Sequence, residues 1–178
     1  MTDANPESVA SRWARLGVIL NVPPAAQTPD VERLLLDTAR AAPANTRLLT
    51  LAATWLSVHG ALVHIPRLAN LIHDELEPEH RPTLGLLLET AAQHARTRGP
   101  DFEHAIEACK PPQDAMPLSQ VERLNPQLHR LSAERATALS RKWGRWTTDT
   151  DLQPSALRPP EWVRRHNPSP AQTAGKSN

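Results

Sequence analysis

Proline and the spacing of apolar residues together divide this chain into a series of short helices. Prolines recur where apolar residues begin to return every three or four positions, as on one face of a helix. The first turn of a helix tolerates proline, since the missing N–H would have no intrahelical partner there. The alternation typical of strands is nearly absent. The sequence therefore predicts an all-α fold, a compact domain of about seven or eight short helices joined by short loops.

Capping residues predict where the helices begin. Asparagine, aspartate and serine accept hydrogen bonds from the free N–H groups of a first helical turn. Helix starts are predicted at Asn5-Pro6, Pro29-Asp30, Asn45, Pro66, Pro82, Pro100, Ser119 and Asn125-Pro126. Ser119 and Glu122 have the spacing of a capping box. From Asn125 we expect one longer helix, because apolar residues recur at helical spacing as far as Trp146.

Charge is distributed unevenly, although the formal net charge is only +1. Residues 1–118 carry ten basic and fourteen acidic residues, whereas residues 119–178 carry ten and five. We therefore predict an acidic helical body over residues 1–110, a linker over 111–118, and a basic Trp/Arg helical segment over 119–166 that packs on the body. Residues 167–178 have no apolar anchor and are expected to be a disordered tail.

Tryptophan and arginine are interleaved in the last third of the chain. Guanidinium groups beside indole rings suit a surface that meets nucleic acid or an acidic protein. We therefore predict partner- or nucleic-acid-binding roles for Arg141, Lys142, Trp143, Arg145, Trp146, Trp162, Arg164 and Arg165. In the alternative interpretation the tryptophans pack inward and the cations form only a solvated face.

Signatures of catalysis are sparse. There is no G-x-S-x-G motif and no glycine-rich phosphate loop, and the single cysteine, Cys109, lies on an apolar stripe that predicts burial. His73, Glu75 and His80 could hold a metal, but their spacing matches no zinc motif. The simpler interpretation is that this segment is the acidic end of a helix and the loop that follows it. We therefore expect a protein that is not an enzyme, with no metal, no cofactor and no small-molecule substrate.

Two further patterns bear on partners and localisation. Residues 48–72 are similar to the first two helices of a winged helix, but the following run over 83–89 is too apolar to lie in a DNA groove. An ordinary helical hairpin is therefore favoured there.

The apolar stretch 48–65 is not convincing as a membrane span, and no signal peptide is visible. We expect a cytoplasmic protein that does not enter a membrane.

Five short phrases suggest a family when they are taken together: NVPP at 21–24, PDVERLLLD at 29–37, AATW at 52–55, SRKWG at 140–144 and ALRPPEW at 156–162. Through these phrases, residues 20–167 resemble small helical bacterial proteins encoded beside nucleotidyltransferase toxins of the abortive-infection type. The resemblance implies an antitoxin-like role, which means binding the toxin, binding promoter DNA, or both.

The sequence thus favours a non-enzymatic binding protein. It would be the antitoxin or an accessory component of a bacterial toxin–antitoxin or phage-defence pair, acting on a cognate partner protein. The alternative is a DNA-binding transcriptional regulator that uses the basic Trp/Arg segment.

Overall fold

The computed structural model describes residues 5–18, 21–94, 101–110 and 114–146. These ranges confirm the all-α prediction and contain nine α-helices, a number slightly above the predicted seven or eight. The helices are α1 (Pro6–Arg15), α2 (Val31–Ala41), α3 (Arg47–His59), α4 (Ile65–Glu75), α5 (Arg81–Gln93), α6 (Glu103–Cys109), α7 (Gln120–Leu124), α8 (Pro126–Arg135) and α9 (Ala138–Lys142). A 3-10 turn (Gly60–Leu62) follows α3. The short strands β1 (Met116–Pro117) and β2 (Arg145–Trp146) pair in parallel.

Side-chain caps account for several helix starts. Asn5 accepts a hydrogen bond from the Glu7 N–H at 3.0 Å, and Asp30 accepts one from the Arg33 N–H at 3.2 Å. Asn125 caps α8 through the N–H groups of residues 127 and 128. These contacts confirm the predicted starts of α1, α2 and α8. Ser119 directly precedes α7, but its side chain makes no capping bond to the described part of that helix, so the Ser119 half of the predicted capping box is not formed.

The predicted long helix from Asn125 to Trp146 is wrong. α8 ends at Arg135, and Thr137 begins α9 by accepting a hydrogen bond from the Ser140 N–H at 3.1 Å. The Thr137 hydroxyl thus offers the backbone an alternative to a continued helix. Trp146 consequently lies in β2 rather than on a helix face shared with Trp143.

The core of the body is formed around two tryptophans and α5. Trp13 and Trp55 are almost wholly buried, with their ring centroids 5.6 Å apart, and the Trp13 indole N–H donates to the Thr38 hydroxyl at 2.9 Å. Every residue from 82 to 88 on α5 is buried. This part of α5 has no face to present to a DNA groove, which agrees with the helical-hairpin interpretation.

None of the helices in the described ranges combines the length and apolar character that crossing a bilayer requires.

Ion pairs join the start of α2 to the start of α4. Glu32, only 6% exposed, accepts a hydrogen bond from the His64 N–H at 2.8 Å and another from Arg67 Nη1 at 2.7 Å. Arg67 also pairs with Asp30, and this contact lowers the pKa of the Asp30 carboxyl. The ionised form of the Asp30 carboxylate therefore stabilises the fold.

Stability is expected to fall as the pH is lowered from 8 towards 5. Burial lowers the pKa of His59 and, as the largest contribution, the pKa of His80. The unfolded chain therefore takes up these protons first, near pH 6.5, and stability is lost between that pH and the depressed native pKa values. Urea unfolding across this range should show the decline, and a stability that rises towards pH 5 would contradict it.

A second decline is expected below about pH 4.5, where Asp30 and Glu77 accept protons. Arg67 lowers the pKa of Asp30, and Arg40 lowers the pKa of Glu77. Arg67→Met should therefore flatten the part of this acidic limb that Asp30 produces without changing the limb that the histidines produce. Arg40→Met should flatten the part that Glu77 produces and should also weaken the histidine limb, because the charge of Arg40 contributes to lowering the pKa of His80.

Candidate functional site

Trp143 is an anchor between the basic segment and the body. It is 2% exposed, and its ring lies against Gly85 of α5. A Cβ placed on Gly85 would come within 2.3 Å of two ring carbons, so only glycine permits this close approach. The indole N–H donates to Glu89 Oε2 at 2.7 Å. Trp143 therefore has a structural role, in agreement with the interpretation in which it packs inward.

Lys142 shares the carboxylate that Trp143 uses. Its ammonium group lies 2.7 Å from both oxygens of Glu89, and it also lies 5.8 Å from the centroid of the Trp143 ring. The Lys142 side chain remains 54% exposed. Glu89 thus largely neutralises the charge of Lys142, although the exposed part of the Lys142 side chain is still accessible from solvent.

Arg145 is the most deeply enclosed of the predicted binding residues. It is 2% exposed and donates to the backbone carbonyls of Asp114 at 2.8 Å and Gly144 at 3.0 Å. Its Nη2 also lies 3.5 Å from the exposed Asp114 carboxylate, while its buried Nε has no hydrogen-bond partner among the described residues. The pKa of the nearby Arg123 is lowered, mainly by burial and to a smaller extent by the positive charge of Arg145. Arg145 therefore holds β2 against the chain that precedes β1.

The strand pair extends the fold into the predicted linker. The Met116 N–H donates to the Gly144 carbonyl at 3.0 Å, and the Leu118 N–H donates to the Trp146 carbonyl at 2.6 Å. Leu118 is fully buried. Residues 116–118 are therefore part of the packed structure, whereas residues 111–113 lie outside the described ranges.

The other predicted binding residues differ in their accessibility. Arg141 is exposed, and its Nε donates to the Ala136 carbonyl at 3.1 Å. Trp146 is partly buried, and its buried indole nitrogen has no hydrogen-bond partner within the part of the chain that the structure describes. Trp162, Arg164, Arg165 and the tail predicted at 167–178 lie outside the described residues. Arg141 and Lys142 are thus the two predicted residues whose charged groups reach solvent in the described part, and partner binding by this set stays a prediction.

A different surface carries the exposed apolar residues of the neighbouring helices. Val121 and Leu124 of α7 are 66% and 78% exposed, and Leu131 of α8 is 36% exposed. Arg130 and Arg135 of α8 are also exposed. We call these five residues the α7–α8 surface. Helical spacing of apolar residues in this region was visible in the sequence, but spacing alone could not show which side faces solvent.

Hydrogen bonds to two backbone carbonyls attach α7 to the rest of the molecule. The Gln120 N–H donates to the Pro43 carbonyl at 3.2 Å, and Arg123 Nε donates to the Pro117 carbonyl at 2.7 Å. α8 in turn packs beside α7 and β1. The α7–α8 surface is therefore held in place by contacts with the body and with β1 that do not use its exposed side chains.

The side chains considered for catalysis or metal binding lie in different environments. Cys109 is 1% exposed, and burial raises the pKa of its thiol to about 12, which disfavours the nucleophilic thiolate. Glu75 pairs with Arg33 at 2.9 Å, and exposed His73 lies 3.0 Å from Asp74. Across the residues that the structure describes, no three His, Cys, Asp or Glu side chains are placed to hold a metal ion.

Comparison with known proteins adds no assignment. No protein family matches this chain, and neither a curated protein nor a solved structure is significantly similar to it. The antitoxin-like resemblance accordingly stays a hypothesis that rests on the quoted phrases.

Proposed function

We propose that this protein is a non-enzymatic binding protein of the bacterial cytoplasm, the antitoxin or an accessory component of a toxin–antitoxin or phage-defence pair. It acts by binding a cognate partner protein, for which a nucleotidyltransferase toxin is the first candidate. The observation that carries the proposal is the exposure of apolar side chains on the α7–α8 surface.

Exposed leucine and valine side chains favour a protein as the partner. Val121 and Leu124 are three residues apart on α7 and share one face of that helix. On α8, Leu128, Leu131 and Arg135 are spaced so that they share a face. Burying such side chains against a partner contributes roughly 25 cal/mol for each Å² of apolar surface removed from water.

The charges beside these side chains favour an acidic partner. Arg130 has only a loose pair with Glu134 at 3.8 Å, and Arg135 makes no ion pair within the described part of the chain. Arg141 of the neighbouring α9 is exposed as well. Arginine at the rim of an apolar contact speeds and orients association with a surface of opposite charge.

The same features argue against DNA as the main partner. Contacts to phosphate are polar and cationic, and they do not require exposed leucine. Residues 82–88 of α5, the helix that follows the pair similar to a winged helix, are buried and are not free to enter a groove. DNA binding is therefore the alternative that the experiment must distinguish.

The test is co-expression of this chain with the product of its neighbouring gene, tagged on the neighbour alone. We expect stoichiometric co-purification. Leu124→Asp combined with Arg135→Glu should weaken the complex by roughly thirtyfold or more, as the loss of a central contact does. The matched control is Leu62→Asp, because Leu62 is 67% exposed but lies in the turn after α3.

The possible results distinguish an error in the proposed function from an error in the proposed binding surface. Failure to co-purify, together with a salt-sensitive band-shift of the upstream DNA, would replace the proposal with the DNA-binding alternative. A complex that survives the double substitution would show that the partner binds elsewhere.

A further inference from the structure

A groove opens on the side of the molecule formed by α5, α6 and α9. It encloses about 410 Å³, and its apolar part is formed by Ala92 of α5 and by Phe102 and Ile106 at α6. Phe102 is 2% exposed, whereas Ile106 is partly exposed. The floor therefore offers an apolar surface to a side chain that enters from solvent.

Carboxylates surround this floor. Glu89 already binds Lys142 and Trp143, which leaves Asp101, Glu103 and Glu107 as the acidic rim of the groove. All three are exposed, and none makes an ion pair within the described residues. Glu103 and Glu107 are four residues apart on α6, so they lie on one face, and like charges at this spacing disfavour each other unless a cation binds them.

We propose that this groove binds the chain's own segment 158–166, with the sequence RPPEWVRRH. Trp162 would cover the apolar floor, and Arg164 and Arg165 would pair with the acidic rim. The occupant fits by charge, since the segment carries three arginines against one glutamate. Pro159 and Pro160 reduce the entropy lost on binding, because proline fixes its own φ angle.

The chain can reach the groove without rearrangement of the body. Lys142 lines the groove, and the described chain ends only four residues later, at Trp146. Residue 158 lies twelve positions after Trp146, and an extended chain of that length spans up to roughly 40 Å. The inference concerns a different surface from the proposed function and holds independently of it.

The test uses the full-length protein with one spin label beside the segment. Ser169→Cys provides the label site, because Cys109 is buried and its raised thiol pKa of about 12 keeps it unreactive near neutral pH. The amide signals of Ala92, Glu103 and Glu107 should lose intensity in the NMR spectrum of the labelled protein. The loss should diminish as salt is added.

Charge reversal identifies the contact. Glu103→Lys with Glu107→Lys should abolish the loss of intensity. The matched control, Glu7→Lys with Glu134→Lys, makes the same change in net charge away from the groove and should preserve it. Adding Arg164→Glu and Arg165→Glu to the groove variant should restore the loss, which an unfolded variant could not do.

Three results would overturn the proposal. One is full signal intensity around the groove in the labelled parent protein, and another is a loss that persists after reversal of the two glutamates. The third is the same loss in a mixture of labelled and isotopically enriched molecules, because the occupant would then be a second copy of the chain.

Discussion

Trp143→Ala is expected to lower the free energy of unfolding by about 3–5 kcal/mol, the usual loss for a large aromatic side chain in a core. Trp143 is 2% exposed, and its indole N–H bonds to Glu89 at 2.7 Å. The substitution removes the ring that joins the end of α9 to α5. Urea unfolding followed by circular dichroism measures the loss.

Gly85→Ala distinguishes close packing from simple burial. An added methyl group in the middle of a helix normally stabilises by about 0.5–1 kcal/mol. Here the three atoms nearest to the new Cβ all belong to the Trp143 ring, two of them at 2.3 Å. We therefore expect a destabilisation of about 1–3 kcal/mol, as other overpacked cores show.

Combining the two substitutions should reverse the sign of the effect at position 85. With Trp143 replaced by alanine the clash is removed, and Gly85→Ala becomes neutral or stabilising by up to about 1 kcal/mol. Equal effects of Gly85→Ala in both backgrounds would show that the ring does not lie against this glycine.

Arg145→Glu is expected to cost several kcal/mol, because it places an unpaired charge in an enclosed site. The Arg145 guanidinium faces the carbonyl oxygens of Asp114 and Gly144, which would repel a carboxylate. Arg141→Glu is the matched control. Arg141 is exposed, so the same reversal four residues earlier should change stability by no more than about 0.5 kcal/mol.

The comparison separates two roles for neighbouring cations. Thermal unfolding should place the Arg145 variant well below the parent protein and leave the Arg141 variant close to it. Similar unfolding of both variants would contradict the buried position of Arg145. Partner binding should be tested at Arg141, since reversal at Arg145 would confound a loss of binding with a loss of structure.

Local sequence accounts for most of the helix starts. Asn5, Asp30 and Asn125 act within three residues of themselves, so their capping role can be predicted without knowledge of the fold. The same reasoning failed between Arg135 and Trp143. There the Thr137 cap interrupts an apolar pattern that periodicity alone would continue.

The candidate site could be predicted only in part. Apolar spacing allowed an inward position for Trp143, but it did not identify Gly85 as its neighbour, fifty-eight positions earlier. Arginine is usually exposed, so the sequence favoured a surface role for Arg145. Its burial depends on carbonyl groups brought to it by the pairing of β1 with β2.

The sequence by itself determined the helical class of this protein and most of its helix starts, because capping and apolar spacing act over a few residues. Only the tertiary structure decided which cations are used internally and which apolar side chains remain exposed. Lys142 and Arg141 are adjacent in sequence, yet Glu89 neutralises the first and leaves the second in solvent. Such differences depend on contacts between distant residues, and these contacts exist only after the helices have packed.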